Sequence, residues 1–232
     1  MNQQFSLKLA NDTLLDDANA LGVTTEQLQA INITVNAHIS KSLKVESSLL
    51  KALEHEAEHA VLELTYEIKL PMPALAEQLC WPSWDKELVG FEDYLWQRTC
   101  LECFITNDIK SYVEINVSPD GRYAIYHFEN YRHPSTLPPQ PLFISNSDTK
   151  AQIQWTDANA IENKGLTYSR HFSIPLFQLP YHFSVLDNHA LIHPCVILYF
   201  DEVALYFAAN HANPADFHQR RYWSTFILNS IS

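Results

Sequence analysis

The sequence predicts an all-β fold: a two-sheet antiparallel β-sandwich of the jelly-roll kind, with about ten strands and a short N-terminal helical extension. Three observations predict it. Short segments of alternating apolar and polar residues recur along most of the chain, turn chemistry separates them, and few stretches show helical spacing or any repeat period. Residues 1–30 read as a partly helical extension and residues 31–232 as one sandwich domain.

In chain order, Asn11 to Ile31 is acidic and holds one short helix, capped by Thr24 or Thr25 ahead of Glu26 and Gln27. This segment reads as a solvated appendage. Ile31 to Ile39 alternates Ile, Ile, Val, Ala and Ile against polar residues and predicts the first strand. Ser47 to His59 places Leu49, Leu50 and Leu53 at helical spacing, and Val61 to Leu70 returns to β-branched and aromatic residues. Pro71, Pro73 and Pro82, with Trp81 and Trp84, predict an irregular loop, since proline supplies no N–H to a ladder. Strands follow at Leu101–Thr106, Ser111–Val117 and Arg122–Phe128, the last two joined by the Ser-Pro-Asp-Gly turn of residues 118–121. Beyond the proline-rich connection Pro134–Pro141, the same criteria predict strands at Ala151–Thr156, Leu166–Ile174, Cys195–Asp201, Ala204–Ala209 and Trp223–Leu228.

Composition narrows the classes of function. A formal net charge of −12 repels phosphate backbones and anionic lipid headgroups, and no Lys/Arg cluster offsets it, so neither nucleic acid nor a membrane surface is an expected partner. Met1 to Asp17 lacks a basic start followed by a long apolar run, and the longest apolar runs elsewhere are too short to span a bilayer, so a soluble cytoplasmic protein is expected. Cys80, Cys100, Cys103 and Cys195 are then expected as thiols. The Cys100–Cys103 spacing puts its two side chains on opposite faces of a strand, and no second pair completes a zinc site.

His55-Glu56-Ala57-Glu58-His59 matches the zinc-protease pattern H-E-x-x-H, but Glu54, Glu58 and Glu63 surround it with charge where a buried metal helix needs apolar neighbours. It reads as a solvated helix face. The stronger constellation lies between residues 96 and 132. Strand alternation gives Tyr112, Glu114, Asn116 and Ser118 one face, opposite Val113, Ile115 and Val117, and likewise separates Glu102 and Phe104 from Leu101, Cys103 and Ile105. Glu102 and Glu114 are expected to face each other across adjacent strands. Like charges so placed need a cation, a ligand hydroxyl or an arginine, and Arg98, Arg122 and Arg132 are the nearby candidates. Two readings stay open: a Glu–Arg network that fixes register, or a groove in which these groups converge among Trp96, Tyr112, Tyr131 and Trp84. A third cluster, His211, Asp216 and His218, follows a strand near the C-terminus and reads equally as a site or as loop scaffold.

The candidate ligand-binding set is therefore Trp96, Glu102, Tyr112, Glu114, Asn116, Arg122, Tyr131, Arg132, His211, Asp216 and His218. No residue is assigned a catalytic or metal-binding role, and no cofactor is expected. The expected partner is a small polar molecule, with a saccharide favoured because aromatic faces and convergent carboxylates suit a polyhydroxylated ring. The competing class is an enzyme that uses Glu102 and Glu114, or His211, Asp216 and His218, as acid–base groups.

Two stretches resemble the DOMON-like proteins, in the stand-alone bacterial branch related to family 9 carbohydrate-binding modules. Trp96, Gln97, Thr99, Cys100, Glu102 and Phe104 resemble that family's W-Q-x-T-C-x-E-x-F strand, and Tyr112, Glu114, Asn116, Ser118 and Pro119 its Y-x-E-x-N-x-S-P strand. Arg122, Tyr126, Phe128, Tyr131 and Arg132 are similar to its closing hairpin, and Asn210, His211, Pro214, Asp216, Phe217 and His218 to its N-H…P-D-F-H segment with a shorter spacing before Asp216. The resemblance spans roughly Ile31 to Leu228 and implies a β-sandwich. It also implies a sugar or a haem as ligand. Haem-binding relatives use Met and His as axial ligands; here Met1 and Met72 are the only methionines and no C-x-x-C-H segment exists, so haem is the minor alternative.

Overall fold

A computed structural model describes residues 2–41, 60–144, 147–156, 165–180 and 190–226. Twelve strands are found among the described residues: β1 (Asn2–Leu9), β2 (Asn32–Lys41), β3 (Ala60–Lys69), β4 (Gly90–Phe91), β5 (Cys100–Thr106), β6 (Tyr112–Val117), β7 (Arg122–Phe128), β8 (Gln154–Trp155), β9 (Thr167–Pro175), β10 (Leu191–Phe200), β11 (Val203–Ala208) and β12 (Ser224–Thr225). Three short helices accompany them, α1 (Leu14–Leu21), α2 (Thr25–Gln29) and α3 (Pro73–Gln78). The expected helix over 47–59, with its H-E-x-x-H match, lies outside the described residues.

The two-sheet antiparallel sandwich is not what forms. One continuous sheet runs β4-β7-β6-β5-β10-β11-β1-β2-β3-β9-β8, with β12 added beside β10, and it is mixed because β4 pairs parallel with β7. The reason is β1, a strand where only a helical extension was expected. Residues Asn2 to Leu7 pair with β2, while Lys8 and Leu9 switch to Ala208 and Phe207 of β11, so β1 welds what would be two edges. Left separate, each edge would expose unpaired N–H and C=O groups.

The sheet curls into a half-barrel whose distant strands meet across its hollow side. Tyr66 of β3 donates its hydroxyl to the Glu102 carbonyl of β5 at 2.6 Å. Arg170 of β9 and Trp155 of β8 donate to Pro119 and Gly121 in the β6–β7 turn, at 2.6 and 3.0 Å. The concave face holds the main core, in which Val35, Leu64, Ile105, Ile115, Val196 and Phe207 are fully buried. Helices α1 and α2 carry Ala18, Leu21 and Leu28 into that core, so the N-terminal segment is not a solvated appendage. Thr24 caps α2 as expected, in a reciprocal box with Gln27.

A second apolar cluster covers the convex face of β5, β6, β7 and β10, built from Leu95, Phe104, Tyr112, Tyr126, Phe128, Cys195, Phe217 and Trp223. Burial on both faces explains why every residue of β5 and β6 is buried, polar ones included.

Candidate functional site

The site begins with strand register. Alternation sends Glu102 and Phe104 of β5, and Tyr112, Glu114 and Asn116 of β6, to the convex face, as the sequence predicts. The pairing sets Glu102 opposite Asn116 and Phe104 opposite Glu114, so the two carboxyls are diagonal neighbours and not a facing pair. Asn116 fills the gap by donating from Nδ2 to Glu114 Oε1 at 2.6 Å. The Cys100 thiol sits beside Asn116 Oδ1 at 3.6 Å and is the one side-chain partner of the Glu102 carboxyl among the described residues.

Both carboxyls are almost fully buried, Glu102 at 3% and Glu114 at 5% exposure. Burial raises both above the usual carboxylate range, Glu114 up to about 7, and the nearby Glu114 charge raises Glu102 further. At neutral pH the pair is therefore at least partly protonated.

The wall is built by two loops. The first leaves β7 with Arg132 in the left-handed region at φ 50°, a conformation that costs a non-glycine residue about 1 kcal/mol and must be held from outside. It is held at both ends: the Arg132 N–H donates to the Tyr112 hydroxyl at 3.1 Å, and its guanidinium bonds Asp216 Oδ1 at 2.9 Å. The second loop follows β11 and supplies Asp216 and His218. Asp216 also accepts from Tyr131, Gln219 and the His218 N–H. Although partial burial opposes it, these bonds hold the Asp216 carboxyl down at about 2, charged at any physiological pH.

His218, partly buried with 12% of its side chain exposed, is neutral, its imidazole pushed down to about 3 by burial and by the Arg132 charge. The Tyr112 hydroxyl, which accepts from the Arg132 N–H, also lies 2.7 Å from His218 Nδ1, and which of the two donates depends on the imidazole tautomer. The other ring nitrogen, Nε2, faces Glu114 Oε2 at 3.7 Å. That gap is too wide for a direct hydrogen bond.

Between floor and wall lies a cavity of about 450 Å³. Glu102, Glu114, Arg132, Asp216, His218 and Trp96 line it together with Phe104, Phe128, Tyr206 and Phe217, and with Pro134 to Leu137 and Pro139 of the loop after β7. Of the sequence-predicted set, Tyr112 and Asn116 stand behind this lining as supports, and Tyr131 braces Asp216 at the rim.

Two predicted residues lie elsewhere. Arg122 pairs with Glu92 and Asp120 at the far end of β7. His211 sets Nε2 between Lys8 O and Ala208 N, at 2.6 and 3.0 Å, where β1 joins β11; it packs behind Phe217 and does not meet His218. Trp84, expected among the groove's aromatic walls, does not line the cavity: it adjoins the β6–β7 turn, while Trp81 packs on Tyr168 and Arg170. Met72 packs against the main core, away from the cavity. Sequence reasoning missed Phe104, Phe128, Tyr206 and Phe217 as lining residues; the first two share the alternate face of Glu102 and Tyr112 and were there to be read. Among the described residues no group of three or more His, Cys, Asp or Glu side chains is placed to hold a metal ion. No helix among them is long and apolar enough to cross a membrane.

No protein-family model matches the sequence, and no curated protein does. A solved structure from Bacteroides uniformis, described as a "putative carbohydrate-binding protein", aligns over 96% of this chain and 84% of its own at 10% identity and a TM-score of 0.48. A likeness at that level says nothing about individual residues of the site.

Proposed function

We propose that this protein binds a small polyhydroxylated molecule of saccharide type in the convex-face cavity, without transforming it, and does so in the cytoplasm. The observation that carries the reading is Glu102: a carboxyl at 3% exposure that lines a cavity, with a thiol as its hydrogen-bonding side chain and Arg132 acting on it only through its charge. Leaving a buried carboxyl so poorly satisfied costs about 1–3 kcal/mol, a cost that ligand hydroxyls would relieve. Phe104, Phe128, Phe217 and Trp96 supply apolar faces around it, as the C–H face of a sugar ring requires. The resemblance of the β5 and β6 motifs to DOMON-like proteins agrees with this reading. Met72, packed against the main core, gives no support to the haem alternative.

Titration calorimetry of the full chain against neutral and amino hexoses and their disaccharides tests it. Heat of binding is expected from at least one of them, with an affinity loss of tenfold or more in Glu114→Ala, about 1.4 kcal/mol for one hydrogen-bonded group. No heat from any member at millimolar concentration removes the saccharide reading. An acid–base enzyme is the second reading, and His218 beside Glu114 favours it; at 3.7 Å the two would need a bridging water or closure to exchange a proton.

A further inference from the structure

The cavity is short of positive charge. Three carboxyls line it, Glu102 from β5, Glu114 from β6 and Asp216 from the loop after β11, against one guanidinium, that of Arg132. Arg132 spends its NH2 group on Asp216 at 2.9 Å. The other groups that face the two glutamates supply no cation: the hydroxyls of Tyr112, Tyr126 and Tyr206, the thiols of Cys100 and Cys195, and the His218 ring, which is kept neutral by burial and whose Nδ1 is occupied by Tyr112. Glu102 and Glu114 thus sit as diagonal neighbours in a buried floor, offset only by the charge of Arg132, which is hydrogen-bonded to Asp216 and not to them.

A buried pair of this kind is relieved by a metal, an arginine, a proton or a ligand cation. The described residues present no third metal ligand beside the pair, and the arginine hydrogen-bonds Asp216 while reaching the glutamates only through its charge. In the empty pocket protons serve, which is the state the raised carboxyls indicate. With the aromatic faces of Trp96, Phe104, Phe128 and Phe217 around it, an ammonium would meet both attractions that buried cation sites use, a carboxylate and ring faces.

From this geometry we infer that the ligand carries a protonated amine, seated against Glu102 and Glu114, which narrows the class to amino sugars and related hydroxylated amines. The inference rests on the saccharide reading above. Binding then deprotonates the pair, so the ligand's positive charge enters as a proton leaves. A neutral sugar would instead be held by the protonated carboxyl as donor, with no proton released.

Calorimetry at pH 6.5, run in phosphate and in a buffer of larger ionisation enthalpy, tests it with D-glucosamine, D-galactosamine and D-mannosamine against the parent hexoses and their N-acetyl forms. At least one amine is expected to bind about tenfold or more tightly than its parent and its N-acetyl form, with an enthalpy that changes between buffers as a proton is released. In Glu114→Gln the advantage of the amine should fall to within about twofold and the buffer dependence should shrink, because the charge that rewards the ammonium is gone. Equal affinity for amine and parent hexose, or no buffer dependence, overturns the amine while leaving saccharide binding in place. Silence from every sugar overturns both.

Discussion

Replacing Glu114 by Gln is expected to raise the free energy of unfolding at pH 8 by about 1–3 kcal/mol and to leave it nearly unchanged at pH 4. Burial lifts this carboxyl from its ordinary 4.5 up to about 7, so the folded protein holds the proton more tightly than the unfolded chain does. That stabilisation is complete below about pH 4.5 and is lost as pH rises through 7. The full difference between those two values corresponds to about 3 kcal/mol, and sharing the proton with Glu102 reduces what one substitution recovers. Glutamine is a sound neutral substitute because it keeps an oxygen for the Asn116 amide. Urea unfolding of both proteins at pH 4, 6 and 8 checks this. A variant less stable than the parent at pH 8 would mean that the glutamate is charged and paired in the folded state. A gain of this kind is a common signature of a functional group held at the expense of stability.

Phe104→Ala is expected to cost about 3–5 kcal/mol and to abolish ligand binding even where the protein remains folded. Phe104 is 1% exposed and stands where floor and wall meet, its ring 5.0 Å from His218, 5.7 Å from Trp223 and 6.3 Å from Tyr112 between centroids. Removing it leaves a hole beneath His218 and frees the imidazole from the position that faces Glu114. A wild-type-like unfolding midpoint would show that the convex face is open and that its second apolar cluster contributes little. Loss near 1 kcal/mol, with binding intact, would mean that the surrounding rings collapse into the space.

The parts of this architecture that depend on a period of two were legible from the residues. Val113, Ile115 and Val117 against Tyr112, Glu114 and Asn116 needed nothing but alternation, and β2, β3, β5, β7, β9 and β11 fall within a few residues of where that alternation puts them. By the same rule Phe5, Leu7 and Leu9 against Gln4, Ser6 and Lys8 mark a strand, but the expectation of a helical extension absorbed them. What was not legible is long-range pairing. Whether Lys8 lies beside Ala208, 200 residues later, decides between two sheets and one, and no local pattern encodes it.

The site follows the same division. That Glu102 and Glu114 share a face is local; that they stand diagonally depends on the register set by the connection between β5 and β6. Proline content marks residues 134–139 as a loop but says nothing of where the loop lies, and it lines the cavity. His211 and His218 are near in sequence, yet one closes the β1–β11 junction and the other enters the cavity wall.

Glu102 and Glu114 are expected to form a buried, proton-sharing pair beneath the cavity. Following the side-chain carboxyl carbons of a ¹³C-glutamate-labelled sample by NMR from pH 3 to 9 tests it most directly, with Glu102→Gln and Glu114→Gln to assign the two signals. Both carboxyls are expected to titrate well above the ordinary glutamate range, Glu114 at about 7 in the intact pair, and the survivor's midpoint to fall when its partner is neutralised. Two independent midpoints near 4.5, indifferent to each other's substitution, would place both side chains in water and contradict it.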